Sequence, residues 1–222
     1  MRVRRLVLLR HGQTGYNATN RMQGQLDTDL SDLGRDQAVA AAEVLAKRQP
    51  LMIVSSDLRR ALDTAVALGE RSGMPVLVDT RLRETHLGDW QGMTHLEVDA
   101  AAPGARLAWR DDARWAPHGG ESRVDVAARS MPVVAELVAD QTEWGTDEPE
   151  RPVVLVAHGG LIAALTAALL ALPVDNWPAL GGMGNASWVQ LSGHSQPDAP
   201  LEDIRWRLDV WNASAQVAND VL

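Results

Sequence analysis

Two apolar runs in this sequence each end in a histidine followed directly by glycine. Arg10, His11 and Gly12 follow the first run, and His158 and Gly159 follow the second. An imidazole can act as nucleophile, acid or base near neutral pH, and glycine permits a tight turn after a strand. One histidine at a strand end is commonly a solvated or capped residue. Two in matching positions predict that both imidazoles face one crevice, provided that the two strands are neighbours.

Two arginines and a carboxylic acid extend this set. Arg59 and Arg60 lie in the first turn of a predicted helix, where the helix dipole disfavours positive charge, so we expect at least one of them to serve a ligand. Glu84, in the polar segment LRETHLGDWQG, is a weak signal alone. Guanidinium groups bind phosphoryl oxygens through paired hydrogen bonds. A neutral imidazole can attack phosphorus, and a protonated acid can assist the departing alkoxide. Together they predict chemistry on a phosphate ester.

Other chemistries are disfavoured by what the sequence lacks. It contains no cysteine, which excludes disulfides, thiolate metal sites and a thiol nucleophile. It contains neither a GxxxxGK[ST] loop nor a DxD-type cluster of carboxylates. We therefore predict a covalent route through histidine, with no metal ion and no cofactor.

Composition and charge restrict the class of protein. A length of 222 residues with 45% hydrophobic residues suits one α/β domain, residues 1–222. The net charge of −8 argues against a nucleic-acid partner or an anionic membrane surface. No stretch approaches the roughly 20 apolar residues of a membrane span, and Arg10 and His11 interrupt the first apolar run too early for a signal peptide. We expect a soluble cytoplasmic protein.

Strands alternate with helices along the chain. Short β-branched runs predict buried strands at 5–9, 52–55, 75–79 and 153–157. Alanine-rich segments predict helices at 34–48, 58–72, 122–139 and 161–172. Alternation with period two predicts a late antiparallel pair at 186–193 and 204–211. The pattern favours a three-layer α/β/α sandwich whose mostly parallel central sheet carries an antiparallel C-terminal strand.

The segment at 101–121 lacks clean periodicity, and we expect it to be irregular. Long loops in compact domains are often lids or binding segments. We therefore expect a cap or lid over about residues 93–121.

Five segments occur in the order found in the histidine phosphatase (phosphoglycerate mutase-like) superfamily, which the chain resembles from Arg5 to about Ser192. They read LRHGQTGYN, SSDLRRALDTA, RETHLGDWQG, PHGGES and VAHGG. The resemblance implies a phosphoglycerate mutase-like fold and a metal-independent phosphohistidine mechanism on a small phosphorylated substrate.

The same resemblance implies a role for each matching residue. His11 would be the phosphorylated nucleophile, and Arg10, Arg60 and His158 would hold the phosphoryl oxygens. Glu84 would protonate the leaving group and later activate the attacking water. Substrate binding would also involve Asn17, Gln23 and Gly159. Five residues match no functional position: Arg59, His86, His95, His118 and His194.

Members of this superfamily either hydrolyse phosphate esters or move phosphate between positions of phosphoglycerate. The mutases carry ERHYG, whereas this chain has Thr85 in place of that arginine and Trp90 in the phosphatase-like position. We therefore favour a phosphatase. The alternatives are a phosphoglycerate mutase, a broad-specificity sugar or acid phosphatase, and a binder that performs no chemistry.

Within the phosphatases, the resemblance favours glucosyl-3-phosphoglycerate as substrate. Trp109, Trp115, Arg110 and His118 of the cap segment would suit a molecule that combines a sugar with a carboxylate, and Arg110 would then determine specificity. Equally, both tryptophans could simply seal the cap against the core.

The sequence leaves the roles of two further segments open. The glycine-rich stretch at 176–188 could be a loop near the site or a subunit contact. The two-faced C-terminal strand RWRLDVW could pair with a second copy in a homodimer.

Overall fold

A six-stranded mixed sheet forms the centre of the computed structural model, which describes residues 1–146 and 150–215. The sheet order is β3-β2-β4-β1-β5-β6. The strands are β1 (Arg2–Arg10), β2 (Met52–Ser55), β3 (Val76–Val78), β4 (Val153–Ala157), β5 (Trp188–Ser195) and β6 (Arg205–Ala213). Of the predicted domain at 1–222, residues 147–149 and 216–222 lie outside the described residues.

The strand register places the two predicted histidine turns side by side. β1 and β4 are parallel neighbours, and Arg10 lies opposite Ala157. The residues that follow, His11 and His158, therefore leave the sheet at the same edge. β2 and β3 continue the parallel part, and β5 runs antiparallel to both β1 and β6. The predicted mixed α/β sheet with a late antiparallel pair is confirmed.

Helices cover both faces of the sheet. They are α1 (Gly15–Ala18), α2 (Asp32–Ala46), α3 (Arg59–Ser72), α4 (His95–Ala101), α5 (Ala105–Asp111), α6 (Arg123–Asp140) and α7 (Gly159–Leu169). Because side chains alternate along a strand, Val7 and Leu9 of β1 pack with α2 and α3. Leu6 and Leu8 pack with α6 and α7 on the opposite face. None of the described helices is long and apolar enough to cross a membrane.

The expectation of an irregular segment at 101–121 is wrong in part, since α5 forms within it. Its seven residues are too few for helical periodicity to be visible in the sequence. The preceding α4 begins with a capping box, in which Thr94 and Glu97 bond each other's backbone N–H. Trp90 packs against Trp109 and Trp115 beneath these two helices.

Candidate active site

His11 and His158 meet at the edge of the sheet where β1 and β4 end. Their ring centroids are 5.2 Å apart, and the ring planes are inclined by 59°. His158 is fully buried and His11 is 3% exposed. The two imidazoles are therefore neighbours, as the sequence predicts, but only His11 lines the cavity described below.

The ring of His11 is fixed by its own loop. Nδ1 lies 2.6 Å from the carbonyl oxygen of Gly12, which can only accept, so Nδ1 carries the proton. The lone pair is then on Nε2. Burial, followed by the charges of Arg10 and Arg60, holds the pKa of His11 well below its usual value. The imidazole is therefore neutral at neutral pH and can act as a nucleophile.

Glycine at position 12 allows the start of α2 to press against this loop. A Cβ on Gly12 would lie 2.2 Å from the carbonyl oxygen of Gly34. The backbone N–H of Gly12 donates to Oγ1 of Thr64, at 3.1 Å, which ties the loop to α3. The position of His11 is therefore set by elements on both sides.

Two arginines place positive charge beside His11 and are held by backbone carbonyls rather than by carboxylates. Arg60 donates to the carbonyl oxygens of Leu26 (2.7 Å) and Gly24 (2.8 Å), and Arg10 donates to that of Met183. Burial lowers the pKa of Arg60 to about 10, so it remains charged at neutral pH. The Nε of each guanidinium is buried and has no hydrogen-bond partner within residues 1–146 and 150–215. Such charges favour an anionic ligand.

Glu84 lies at the N-terminus of α7. Its carboxylate accepts backbone N–H groups of Thr85 (2.7 Å), Gly160 (3.0 Å) and Leu161 (3.1 Å). The loop that carries it is held as well, because Arg129 donates to the carbonyl oxygen of Glu84 at 2.9 Å. This arrangement orients a carboxyl group that could exchange a proton with a ligand.

Asn17 and Gln23 are brought to the same crevice by the segment after β1. The Oδ1 of Asn17 accepts from the N–H of Thr14 (3.0 Å) and from Nδ2 of Asn185 (3.1 Å). The Oε1 of Gln23 accepts from the hydroxyls of Thr14 (3.0 Å) and Thr28 (2.7 Å). With their oxygens held in this way, both side chains have an amide N–H₂ group to offer to a ligand.

These side chains surround a cavity of about 140 Å³. Its lining residues are Arg10, His11, Asn17, Arg21, Gln23, Gly24, Arg60, Glu84, Thr85, Leu87, Trp109 and Gly160. The predicted residues Gly159 and His158 lie directly behind this wall: a Cβ on Gly159 would be 3.5 Å from Nε of Arg10. Larger surface hollows of about 520 and 370 Å³ contain no histidine.

Several charged residues named from the sequence lie outside the cavity. Arg59 is paired with Asp27 and Asp29 on the surface, in agreement with its exclusion from the motif. Arg110 is exposed and is not among the residues that line the cavity. The helix α5 turns its side chain outward, whereas the adjacent Trp109 faces the cavity.

Sequence reasoning missed four polar contributors to the site. Arg21 lines the cavity, Ser56 contacts His158, Arg129 supports the loop of Glu84, and Asn185 contacts Asn17. The glycine-rich stretch at 176–188 is a loop near the site, since it supplies both Asn185 and the carbonyl of Met183. The only sequence signal for Arg21 and Ser56 as site residues is that each lies next to a recognised motif.

Curated relatives match the whole chain. It is 84% identical to a glucosyl-3-phosphoglycerate phosphatase of Mycolicibacterium vanbaalenii and 80% identical to one of Mycobacterium tuberculosis, with 100% of each chain covered. It is 34% identical to a metal-independent phosphoserine phosphatase of Arabidopsis thaliana, over 95% of this chain and 82% of the relative.

Similar solved structures and a family model indicate the same family as these relatives. A mycobacterial glucosyl-3-phosphoglycerate phosphatase in complex with inorganic phosphate is 79% identical, with a TM-score of 0.90 over 97% of this chain and 100% of the other. A complex of that enzyme with VO3 gives a TM-score of 0.89 over 95% and 100%. Residues 6–212 match the family described as histidine phosphatase superfamily (branch 1). With its two histidines, two arginines and one carboxylate at a single sheet edge, the chain belongs to the histidine phosphatase superfamily.

Proposed function

We propose that the chain is a metal-independent phosphomonoesterase that converts glucosyl-3-phosphoglycerate to glucosylglycerate and phosphate through a phosphohistidine at His11. The observation that carries this proposal is a neutral imidazole with its lone pair on Nε2, beside Arg10 and Arg60, neither of which is paired with a carboxylate of the described residues. The substrate rests on the full-length relatives that bear the name glucosyl-3-phosphoglycerate phosphatase.

The first chemical step transfers the phosphoryl group to the enzyme. Nε2 of His11 attacks phosphorus, a P–N bond forms, and the P–O bond to the glycerate oxygen breaks. Arg10 and Arg60 neutralise the phosphoryl oxygens and keep the group in line with the nucleophile. Glu84, protonated at this stage, gives its proton to the departing alkoxide.

The second step regenerates the enzyme. A water molecule attacks the phosphohistidine, the P–N bond breaks, and Glu84 takes the proton released by the water. His11 recovers its lone pair on Nε2, with Nδ1–H still bonded to the carbonyl of Gly12. Inorganic phosphate is the second product.

Arg21 is suited to the carboxylate of the glycerate part. It is the third arginine of the cavity lining, after Arg10 and Arg60. Its Nη1 lies 3.6 Å from Oε2 of Glu97, in a partly exposed ion pair that a substrate carboxylate would replace. Its Nη1 is oriented by the carbonyl oxygen of Gly92 at 2.8 Å. A second negative group on the substrate could therefore bind at Arg21 while phosphate binds at the other two.

Trp109 is suited to the sugar, and Trp115 is not. Trp109 lines the cavity, and Arg123 lies 5.6 Å from the centre of its ring. Trp115 instead stacks on Trp90 with centroids 5.3 Å apart. We therefore assign the two roles to different residues. Trp109 offers an aromatic surface to a sugar ring, and Trp115 seals the cap.

The test compares phosphate release from glucosyl-3-phosphoglycerate, 3-phosphoglycerate and an aryl phosphate, with a chelator present. Wild-type protein should prefer the glucosylated ester, and His11→Ala should release phosphate from none of them. His194→Ala is the matched control, because His194 lies on β5 and bonds Ser192, away from the cavity. Equal rates on all esters would contradict the substrate. Interconversion of 2- and 3-phosphoglycerate with a bisphosphate primer, without net hydrolysis, would identify a mutase.

We expect a cytoplasmic enzyme that assembles as a homodimer. The enzyme would be a single domain over 1–222 with a cap at about 93–121, act in the cytoplasm and supply glucosylglycerate for methylglucose lipopolysaccharide synthesis. Among the described residues β6 is an edge strand of the sheet, so we propose that it pairs with a second copy in a homodimer. Light scattering of the purified protein tests the assembly, and a monomeric mass at micromolar concentration would exclude it.

A further inference from the structure

The two active-site histidines are anchored through opposite ring nitrogens. His11 is held at Nδ1, by the carbonyl of Gly12, and its Nε2 is free. His158 is held at Nε2, which lies 3.0 Å from Oγ of Ser56. Its Nδ1 is buried and has no hydrogen-bond partner among the described residues. The two imidazoles are therefore held through different ring nitrogens.

The hydroxyl of Ser56 fixes the direction of its bond to His158. Its Oγ accepts the backbone N–H of Leu58 at 3.3 Å, so its proton is available for a second bond. Ser56 is fully buried. Among the described residues, Nε2 of His158 is the only acceptor to which this hydroxyl is bonded. Since buried hydroxyl groups donate when an acceptor is in reach, the proton lies on the bond to Nε2.

The backbone around Ser56 is itself rigid. Ser56 directly follows β2, and its N–H donates to the carbonyl oxygen of Val156 at 2.9 Å, next to His158 in β4. Its own carbonyl accepts the hydroxyl of Ser55 at 2.8 Å. The hydroxyl is therefore presented to His158 by two adjacent strands of the sheet.

We infer that Ser56 is a positioning residue that holds His158 in the Nδ1–H tautomer, so that this imidazole donates a hydrogen bond to the phosphoryl group. A nitrogen that accepts a proton from a hydroxyl carries no proton of its own, so a neutral His158 has its hydrogen on Nδ1. Burial and the charge of Arg60 lower the pKa of His158 and keep the ring neutral. The tautomer does not depend on which ester is the substrate. The catalytic consequence rests on the proposed phosphatase function.

The different tautomers of His11 and His158 suit the different roles of the two residues. Attack on phosphorus needs a lone pair, which His11 presents at Nε2. Phosphoryl oxygens are acceptors only and would be repelled by a second bare nitrogen, so His158 must present an N–H. In the other tautomer of His158, the hydroxyl of Ser56 would accept from both Leu58 and His158, and its own proton would have no acceptor among the described residues.

Nitrogen-15 NMR of histidine-labelled protein near neutral pH tests this assignment. His158→Gln identifies the His158 signals. In wild-type protein we expect a protonated, pyrrole-type shift at Nδ1 and an unprotonated, pyridine-type shift at Nε2. Ser56→Ala should move His158 toward the other tautomer or a mixture of both, and Ser56→Thr should restore it. Ser55→Ala is the matched control, since its hydroxyl bonds the backbone of Ser56 and not the ring. A wild-type His158 protonated at Nε2 would overturn the inference without any variant.

Kinetics provide the second readout. Loss of one oriented donor should lower kcat by about 10²- to 10³-fold. Ser56→Ala should produce this loss equally on the glucosylated ester and on an aryl phosphate, and Ser56→Thr should recover most of it. Unchanged kcat in Ser56→Ala with an altered tautomer would remove the catalytic role. A wild-type enzyme that hydrolyses only aryl phosphates would contradict the proposed substrate and leave the assignment of Ser56 intact.

Discussion

Glu84 and Gly160 are in direct contact, with no space for a side chain between them. The N–H of Gly160 donates to Oε2 of Glu84 at 3.0 Å. A Cβ on Gly160 would lie 2.6 Å from Oε1 of the same carboxylate. The orientation of the proposed acid therefore depends on the absence of a methyl group at the start of α7.

Gly160→Ala should move the Glu84 carboxyl group and lower kcat while leaving the fold intact. General acid catalysis contributes roughly 10²- to 10⁴-fold, so a misplaced acid should cost at least ~10-fold. Rates on an aryl phosphate with a good leaving group should fall less than rates on an alkyl ester, because the better leaving group needs less protonation. Gly182→Ala is the control, as no atom lies within 4 Å of the added Cβ. Equal losses of kcat in Gly160→Ala and Gly182→Ala would show that displacement of Glu84 is not the cause.

Arg60→Lys should lower activity on every phosphate ester alike. A lysine cannot reproduce the planar contact with the carbonyl oxygens of Gly24 and Leu26 while also facing the ligand. We expect kcat/KM to fall by about 100-fold, comparable to the loss of a strong charge-assisted contact. Arg59→Lys changes the adjacent residue, which is engaged with Asp27 and Asp29 on the surface. Its steady-state kinetics should match wild type.

Arg21→Ala should affect only substrates that carry a carboxylate. A charge-assisted hydrogen bond contributes about 1.5–3 kcal/mol, which corresponds to roughly 10- to 100-fold in kcat/KM. This loss is expected on glucosyl-3-phosphoglycerate and not on an aryl phosphate. Arg110→Ala, an exposed neighbour of the cavity wall, should leave both rates unchanged. If Arg21→Ala lowers kcat/KM equally for the two substrates, Arg21 does not bind the substrate carboxylate.

Stability should fall as the pH drops below about 6.5, the pKa of an unperturbed histidine. Burial lowers the pKa of both His11 and His158 in the folded protein. Between the folded and unfolded pKa values, the unfolded chain binds more protons, so the free energy of unfolding rises with pH across that window. Thermal unfolding from pH 7.5 to 5 should show this slope in wild type.

His158→Gln removes one of the two buried titrating groups and should make that slope shallower. His118→Gln removes an imidazole whose side chain is 92% exposed and is the control for the substitution itself. A wild-type melting temperature independent of pH between 7.5 and 5 would contradict the pKa directions on which this rests.

The central part of the site could be predicted because its signals are local in sequence. Each histidine follows a strand directly, so recognition of the two strands places His11 and His158 at strand ends. Pairing of β1 with β4 then brings them together. Arg60 and Glu84 were found through short motifs whose residues lie within one turn or loop.

Contacts between distant segments could not be predicted in the same way. Arg21 and Arg110 are both arginines in polar stretches, and only the packing of the cap shows which one faces the cavity. Ser56 resembles any serine that precedes a helix until β4 places His158 beside it. α5 was missed because tertiary packing of Trp109 on Trp90, not periodicity, stabilises so short a helix.

The anchoring of the phosphate-binding arginines has a consequence for how the family can diversify. Arg10 and Arg60 are oriented by main-chain oxygens of Met183, Gly24 and Leu26, which any residue type would supply. Substitutions of the Leu26 and Met183 side chains therefore leave the acceptors of both guanidinium groups in place. These two positions can vary between members of the family while phosphate binding is retained.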